Sequence, residues 1–321
     1  MLRRRTTFVL ASLLIMGLGI AACEDEPDDE PDEDAAEILE GLDGADITVG
    51  SKEFTEQVVL GQMLVIALEE AGADVTDETS LAGTAVVRES LETEEIDAYW
   101  EYTGTAWADI FGEEEIVEDP DELHEMVAER DEEENDIVWG ARGDFENSYG
   151  IAQNQEIAEE YGVETISELA ELSREDPEAA SFCVAEEFAT RDDGLPGLTE
   201  HYDAEWAVPD PFDEGVIYTE TADAPDSPCH FGMVFTTDGR IAALDLELVD
   251  DDDNFFPEYN PALTVRAEVA EEHPELVELG DEIIASIGFD EMQELNARVD
   301  EEGEIAEDVA RDHLEEVGIV N

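Results

Sequence analysis

The sequence predicts an α/β protein of two lobes with a cleft between them, on three observations. The chain runs to 321 residues, long for one compact domain and comfortable for two. Short β-rich runs such as Ile47-Thr48-Val49 alternate with stretches of helical period, the order that gives parallel strands covered by helices. Apolar residues make up 42% of the chain despite its charge, enough to build a core in each lobe.

Aspartate and glutamate total 92 against 13 lysines and arginines, a balance that excludes nucleic acid and other polyanions as partners. With so much apolar material the acids read as a solvated coat. The composition predicts adaptation to concentrated salt, where the Debye length falls to roughly 3 Å at 1 M and self-repulsion is screened. Twelve of the basic residues are arginine and one, Lys52, is lysine. An ammonium at that position therefore stands out within its own sequence.

From the N-terminus, Arg3, Arg4 and Arg5 precede a thirteen-residue apolar run from Phe8 to Ile20. The run is shorter than the about 20 residues a membrane span needs and reads as an export signal. The stretch Ile20-Ala21-Ala22-Cys23 resembles the cleavage box of bacterial lipoproteins, in which the cysteine becomes the lipidated first residue. Residues 1–22 are thus expected to be a lipoprotein signal peptide and Cys23 an anchor. The mature chain is expected on the outer face of the cell membrane, on the periplasmic side if an outer membrane is present. It would keep ten basic side chains against 92 acidic ones, a net charge of −82. Residues 23–45, acidic and proline-containing, read as an extended tether. With Cys23 lipidated, Cys183 and Cys229 remain. Outside the cytoplasm a disulfide between them is the economical reading, with two separate buried thiols as the alternative.

The folded part is expected to begin near Asp46. Its first strand leads into Gly50-Ser51-Lys52-Glu53-Phe54-Thr55. A helix follows in which Val59, Leu60, Met63, Leu64, Ile66 and Ala67 recur at helical spacing behind a candidate cap at Ser51 or Thr55. A second strand, Ile96 to Trp100, runs into Glu101-Tyr102-Thr103-Gly104-Thr105. Ligands of open α/β sheets bind beyond the carboxyl ends of strands, so both loops are candidates for a site. The last third returns to helices at 274–287, 290–299 and 305–317. No internal repeat is present.

No catalytic constellation stands out. His124, His201, His230, His273 and His313 lack a neighbouring serine or cysteine motif and read as exposed polar residues, so neither enzyme activity nor a cofactor is expected. No histidine stands at ligand spacing from both Cys183 and Cys229, which argues against a metal there. The run Asp250 to Asp253 offers oxygens to calcium, but without the spacing or the glycine of an EF-hand loop it reads as a solvated charge run. What remains is a set of aromatic residues in loops beside small polar residues. Tyr102 follows a strand, Tyr149 lies in Asn147-Ser148-Tyr149-Gly150, Phe235 precedes Thr236-Thr237-Asp238-Gly239-Arg240, and Tyr259 lies in Pro257-Glu258-Tyr259-Asn260-Pro261. Taken singly, each reads as packing.

Several ordered motifs resemble the quaternary-ammonium osmoprotectant-binding proteins of ABC importers, which bind glycine betaine, proline betaine, carnitine or choline. They are GSKEFTEQ (50–57), DAYWEYTGT (97–105), EFATRDDGLPGL (187–198), the stretch from FTTDGR through FFPEYNPA (235–262) and MQELNARVD (292–300). The similarity runs from about Ile47 to the C-terminus. It implies a type II periplasmic-binding-protein fold, with residues 46–146 and 260–321 in one lobe, 147–259 in the other, and two crossover strands between them. It implies an aromatic cage of Tyr102, Tyr149, Phe235 and Tyr259, with Lys52, Thr105 and Arg191 on the ligand carboxylate. Asn147 stands where some relatives have an aspartate near the cation, and Phe235 where some have tyrosine. The implied partners are a small zwitterionic quaternary-ammonium ligand and a permease with its ATPase. Against the family pattern, the link from a strand near Tyr218 to the TTDGR motif reads as extended over 221–230. Cys229 within it is expected to staple to Cys183.

The physical logic agrees with the resemblance. A trimethylammonium group has no N–H to donate, so ring faces must hold it. Four rings at roughly 0.5–2 kcal/mol each give about 2–8 kcal/mol, against about 8 kcal/mol for micromolar binding. Charge-assisted contacts to a carboxylate then decide the affinity, which favours a zwitterion over choline. The rival readings are a binding protein for choline, carnitine or another polar solute and, in another class, a calcium-dependent or sensory surface lipoprotein.

Overall fold

In the computed structural model, residues 38–113, 117 and 119–321 are described. Residues 1–22, Cys23 and the start of the tether lie outside the described residues.

The described chain builds two sheets. The first holds β1 (Asp46–Lys52), β2 (Asp74–Leu81), β3 (Ala98–Tyr102), β4 (Ile137–Arg142) and β9 (Pro261–Arg266), in the order β2-β1-β3-β9-β4. β1 is parallel to β2 and β3, whereas β9 returns antiparallel between β3 and β4. The second sheet holds β5 (Tyr149–Asn154), β6 (Phe182–Cys183), β7 (Phe231–Phe235) and β8 (Leu246–Val249), in the order β6-β7-β5-β8. Its strands come only from 149–249, and those of the first sheet only from the flanking segments. The chain crosses between sheets at 143–148 and 250–260, which lie side by side outside the nine strands. The Asn147 N–H donates to the Tyr259 carbonyl at 3.0 Å, and Asn260 Nδ2 donates to the carbonyls of Gly143 and Phe145.

Each sheet has its own core. Helix 55–70 is apolar almost all round because it lies between the first sheet and the C-terminal helices Phe289–Asp300 and Ala306–Glu316. It has no side-chain cap. The Thr55 hydroxyl donates to Asp300 at 2.7 Å and the Ser51 hydroxyl to the Lys52 carbonyl at 2.9 Å, so both expected capping groups are engaged elsewhere. The fold also starts earlier than expected. Residues 38–41 are helical, and Ile38 and Leu42, four apart on one face, are buried in the first core. Residues 38–45, expected to belong to the tether, are therefore part of the fold.

The second core gathers Phe182, Phe188, Phe231 and the disulfide between Cys183 and Cys229, whose Cα atoms are 5.6 Å apart. The strand expected near Tyr218 is a helix, Glu214–Ala222. Its run Val216-Ile217-Tyr218-Thr219 suits a strand by composition, but Ile217, Tyr218 and Thr221 are the residues buried, the spacing of a helix face. Of the five histidines expected to be exposed, His201 is; His124, His230 and His273 are half-buried, and His313 is 3% exposed and meets the Ser286 hydroxyl at 2.9 Å. The acids at 251–253 serve local structure. Asp251 accepts from the Tyr202 hydroxyl and the Phe256 N–H, Asp252 from the Ser167 N–H, and Asp253 meets His201. Among the described residues no group of histidine, cysteine, aspartate and glutamate is arranged to hold a metal.

Candidate functional site: an aromatic cleft between the sheets

The strand ends set the site. β1 delivers Lys52 and β3 delivers Tyr102 at their carboxyl ends, where an α/β sheet opens to ligand. Thr105 follows in a helical turn, 103–105, that passes into a π-helical turn at 106–110. From the opposite sheet, Tyr149 opens β5 and Phe235 closes β7, and the two are direct partners in the antiparallel register. Their rings therefore project from one place. Tyr259 comes from the second crossing. It packs against Gly104, where a Cβ would lie 2.8 Å from the ring, so only glycine lets the 103–105 turn approach it.

These residues line one partly open cavity, of about 370 Å³ when the space open to solvent is counted. All eight residues implied by the resemblance are on its wall: Lys52, Tyr102, Thr105, Asn147, Tyr149, Arg191, Phe235 and Tyr259. Three more were not anticipated, namely Phe54, Glu187 and Glu214. Phe54 stacks on Phe235 with centroids 4.9 Å apart, and Tyr149 lies 5.3 Å from Phe235 and 5.7 Å from Tyr259. The rings thus touch one another across the cleft. Burial raises the phenol pKa of Tyr102, Tyr149 and Tyr259 well above its ordinary value, so all three stay neutral donors. The Tyr102 hydroxyl donates to Glu56 and the Tyr259 hydroxyl to Asp193, both at 2.7 Å.

The two cations are more engaged than the sequence suggested. Lys52 Nζ donates to Glu101 at 2.7 Å and lies 5.3 Å from the Tyr102 ring centre. One of its three hydrogens is thereby used. Arg191 donates Nε and Nη2 to Asp193, Nη1 to Glu187 at 3.0 Å, and Nη1 again to the Thr84 hydroxyl at 3.4 Å. One Nη2 hydrogen is left. Glu187 also accepts from Thr84 at 2.7 Å. Burial raises its pKa, but the charge of Lys52, the Thr84 hydroxyl and the Arg191 charge outweigh that and hold it below the ordinary value. Glu214 behaves oppositely: burial, followed by repulsion from Glu53 and Glu187, lifts its pKa to about 7. The cavity wall therefore combines neutral π faces with the carboxyl groups of Glu187 and Glu214, a surrounding suited to a methylated cation.

Comparisons with known proteins point the same way. A family model described as the substrate-binding domain of ABC-type glycine betaine transport systems matches residues 45–316. Over 277 residues the chain is 35% identical to a Pseudomonas aeruginosa protein named glycine-betaine-binding protein, spanning 84% of this chain and 87% of the relative. Over 274 residues it is 30% identical to a Helicobacter pylori protein named as an ergothioneine transport permease and ergothioneine binding protein, spanning 85% of this chain and 48% of the relative. The solved structure of apo YehZ from Escherichia coli matches with a TM-score of 0.63 at 29% identity, covering 86% of this chain and 100% of that one. The chain belongs to the family of substrate-binding domains of ABC-type glycine betaine transport systems.

Proposed function

We propose that the cleft binds glycine betaine or a closely related quaternary-ammonium zwitterion and that the closed protein presents it to an ABC permease and its ATPase. The observation that carries this reading is the convergence of Phe54, Tyr102, Tyr149, Phe235 and Tyr259 from both sheets and a crossing onto one cavity that also holds Lys52 and Arg191. The rings receive the trimethylammonium head. The carboxylate points to Lys52, which has two hydrogens beyond the one given to Glu101, with Thr105 and the remaining Arg191 hydrogen beside it. Ligand entry separates rings that now touch and closure re-forms their contact around the cation. The lobes, 46–146 with 260–321 and 147–259, move about the two crossings.

The protein works outside the cytoplasm, as members of this family do. We further propose that a lipid on Cys23 holds it to the membrane, with the acidic segment that follows as tether. Calorimetric titration in concentrated salt tests the cleft. Tyr149→Ala is expected to weaken glycine betaine binding at least tenfold, the loss of one desolvated ring, while the melting temperature stays near that of the parent. Unchanged affinity in a folded variant sinks the cage.

A further inference from the structure

Two of the ordered motifs have little part in the cage. MQELNARVD (292–300) puts no residue on the wall of the aromatic cavity, and FTTDGR (235–240) puts only Phe235 there. The structure sets these two motifs against each other. The Thr236 carbonyl accepts from Gln293 Nε2 at 3.2 Å, the Thr237 carbonyl accepts from Asn296 Nδ2 at 3.1 Å, and Arg240 lies 3.3 Å from Asp300. A Cβ on Gly239 would stand 2.6 Å from that of Ala297, so only glycine admits so close an approach.

Glu56 stands where this junction meets the cage. It is 2% exposed and accepts from the Tyr102 hydroxyl at 2.7 Å, the Thr237 hydroxyl at 2.6 Å, Asn296 Nδ2 at 3.3 Å and the Asn147 side chain. One buried carboxyl group thereby collects donors from a cage ring, from the first crossing, from the helix Phe289–Asp300 and from the chain just past β7. Tyr102 and Glu56 both belong to elements of the first sheet, whereas Thr237 follows a strand of the second. Movement of the sheets about the crossings breaks the Thr237 bond and spares the Tyr102 bond. Thr237 is 1% exposed, so with the lobes closed a lost hydroxyl leaves the carboxyl group enclosed and one donor short.

We propose that Glu56 and Thr237 form a latch: their bond is made as the lobes close, and it sets how tightly the cleft holds its ligand although neither side chain touches that ligand. Glu56 is a positioning residue, acting through Tyr102 and through the closed state. The inference rests on the cage and hinge reading above and adds to it a contact that holds the lobes shut. A latch differs from a ligand contact in what it discriminates. A group on the ligand carboxylate distinguishes glycine betaine from choline, whereas a bond common to both closed complexes weakens both alike when it is lost. It also forms after the ligand has entered, so its loss shortens residence and leaves association unchanged.

The test compares Thr237→Val, which removes the hydroxyl and keeps the shape, with Thr237→Ser, which keeps the hydroxyl. Calorimetry and stopped-flow kinetics in concentrated salt follow glycine betaine and choline. Thr237→Val is expected to weaken both ligands by the same factor, about tenfold, through faster dissociation, and Thr237→Ser to stay within about threefold of the parent. Unchanged affinity in Thr237→Val, unequal losses for the two ligands, a loss confined to association, or a serine variant as weak as the valine one overturns the latch. In a Glu56→Gln background the penalty for Thr237→Val is expected to fall to about threefold or less, because a neutral acceptor holds the hydroxyl less strongly. A penalty that persists in full overturns the assignment to Glu56, and if this background does not fold, the contrast between valine and serine decides. Tyr149→Ala run alongside keeps the two readings apart. If it weakens glycine betaine while Thr237→Val does not, the latch alone falls; if the reverse holds, the cage alone falls; a parent that takes up neither ligand overturns both.

Discussion

Arg191 carries the sharpest tension in the cleft, because a guanidinium implied for a ligand carboxylate is already held by Asp193 and Glu187. Glu187 is the partner that lines the cavity, and it accepts from Thr84 in the helix Gly83–Glu92 that follows β2. It therefore occupies part of the hydrogen-bonding capacity that a zwitterion needs, while its charge attracts the cationic end. Glu187→Gln removes the charge and keeps the shape. The ratio of glycine betaine to choline affinity is expected to rise about tenfold, the scale of one nearby charge in a partly screened site; equal shifts for both ligands would place Glu187 outside carboxylate recognition. Glu214 makes a separate prediction. With its pKa raised to about 7 by burial and by Glu53 and Glu187, its carboxyl is protonated at pH 6 and charged at pH 8, so choline binding is expected to strengthen between those values. The same shift costs stability: the folded protein binds more protons than the unfolded one from pH 4.5 to about 7, so this group's stabilising contribution is lost as pH rises through that window. Glu214→Gln is expected to flatten the choline profile. A profile that persists in the variant assigns the titration to another group.

At the level of elements, the disulfide ties the two-residue strand β6 to the chain just before β7, and β6 leads directly to the Glu187–Arg191 turn. A strand of two residues has little ladder of its own to hold it. Closing a loop of 46 residues stabilises the fold by about 2–4 kcal/mol, so Cys183→Ser with Cys229→Ala is expected to lower the melting temperature by roughly 5–10 °C. The variant is also expected to weaken glycine betaine binding because Arg191 loses its anchored approach; a double variant that melts with the parent would show that the sheet alone suffices. The elements were legible in the sequence to different degrees. Strand ends that carry their residues in compact motifs, such as Lys52 in GSKEFTEQ and Tyr102 in DAYWEYTGT, could be placed before any coordinates. Phe54 sits in the first of these motifs, two residues past Lys52, yet a loop phenylalanine reads as packing until Phe235 is seen stacked on it. Glu187 had a weak signal, an i,i+4 spacing to Arg191. Glu214 had none, since its role comes from the burial and the neighbouring acids of a helix that the β-branched run at 216–219 disguised as a strand.

At the scale of the whole molecule, the distribution of charge separates what holds the fold from what surrounds it. Few cations are available, and several are placed where an acid would otherwise be buried unpaired. Arg88 donates to both oxygens of Asp131, which is fully buried and also accepts from Trp139 and Asn135. Arg240 joins Asp238, just past β7, to Asp300 at the end of a C-terminal helix. The remaining acids have no such partners in number: the chain holds 92 acids in all against 13 lysines and arginines, so the compact state bears a repulsion that unfolding relieves by moving the charges apart. Salt acts on that repulsion far more than on the buried pairs, because exposed charges are screened over a Debye length of about 8 Å at 0.15 M and about 3 Å at 1 M. We therefore expect the melting temperature to climb steadily with potassium chloride over this range, while the Arg88–Asp131 pair, enclosed in protein, contributes equally throughout. Arg88→Ala leaves Asp131 buried and unpaired, a loss on the order of 3–5 kcal/mol, and the deficit in melting temperature is expected to stay constant as salt is added. Parallel salt curves for parent and variant, both rising, are the outcome this division of labour requires. A parent curve that is flat, or a deficit that salt erases, would mean that the acidic coat does not strain the fold or that the pair is accessible to ions.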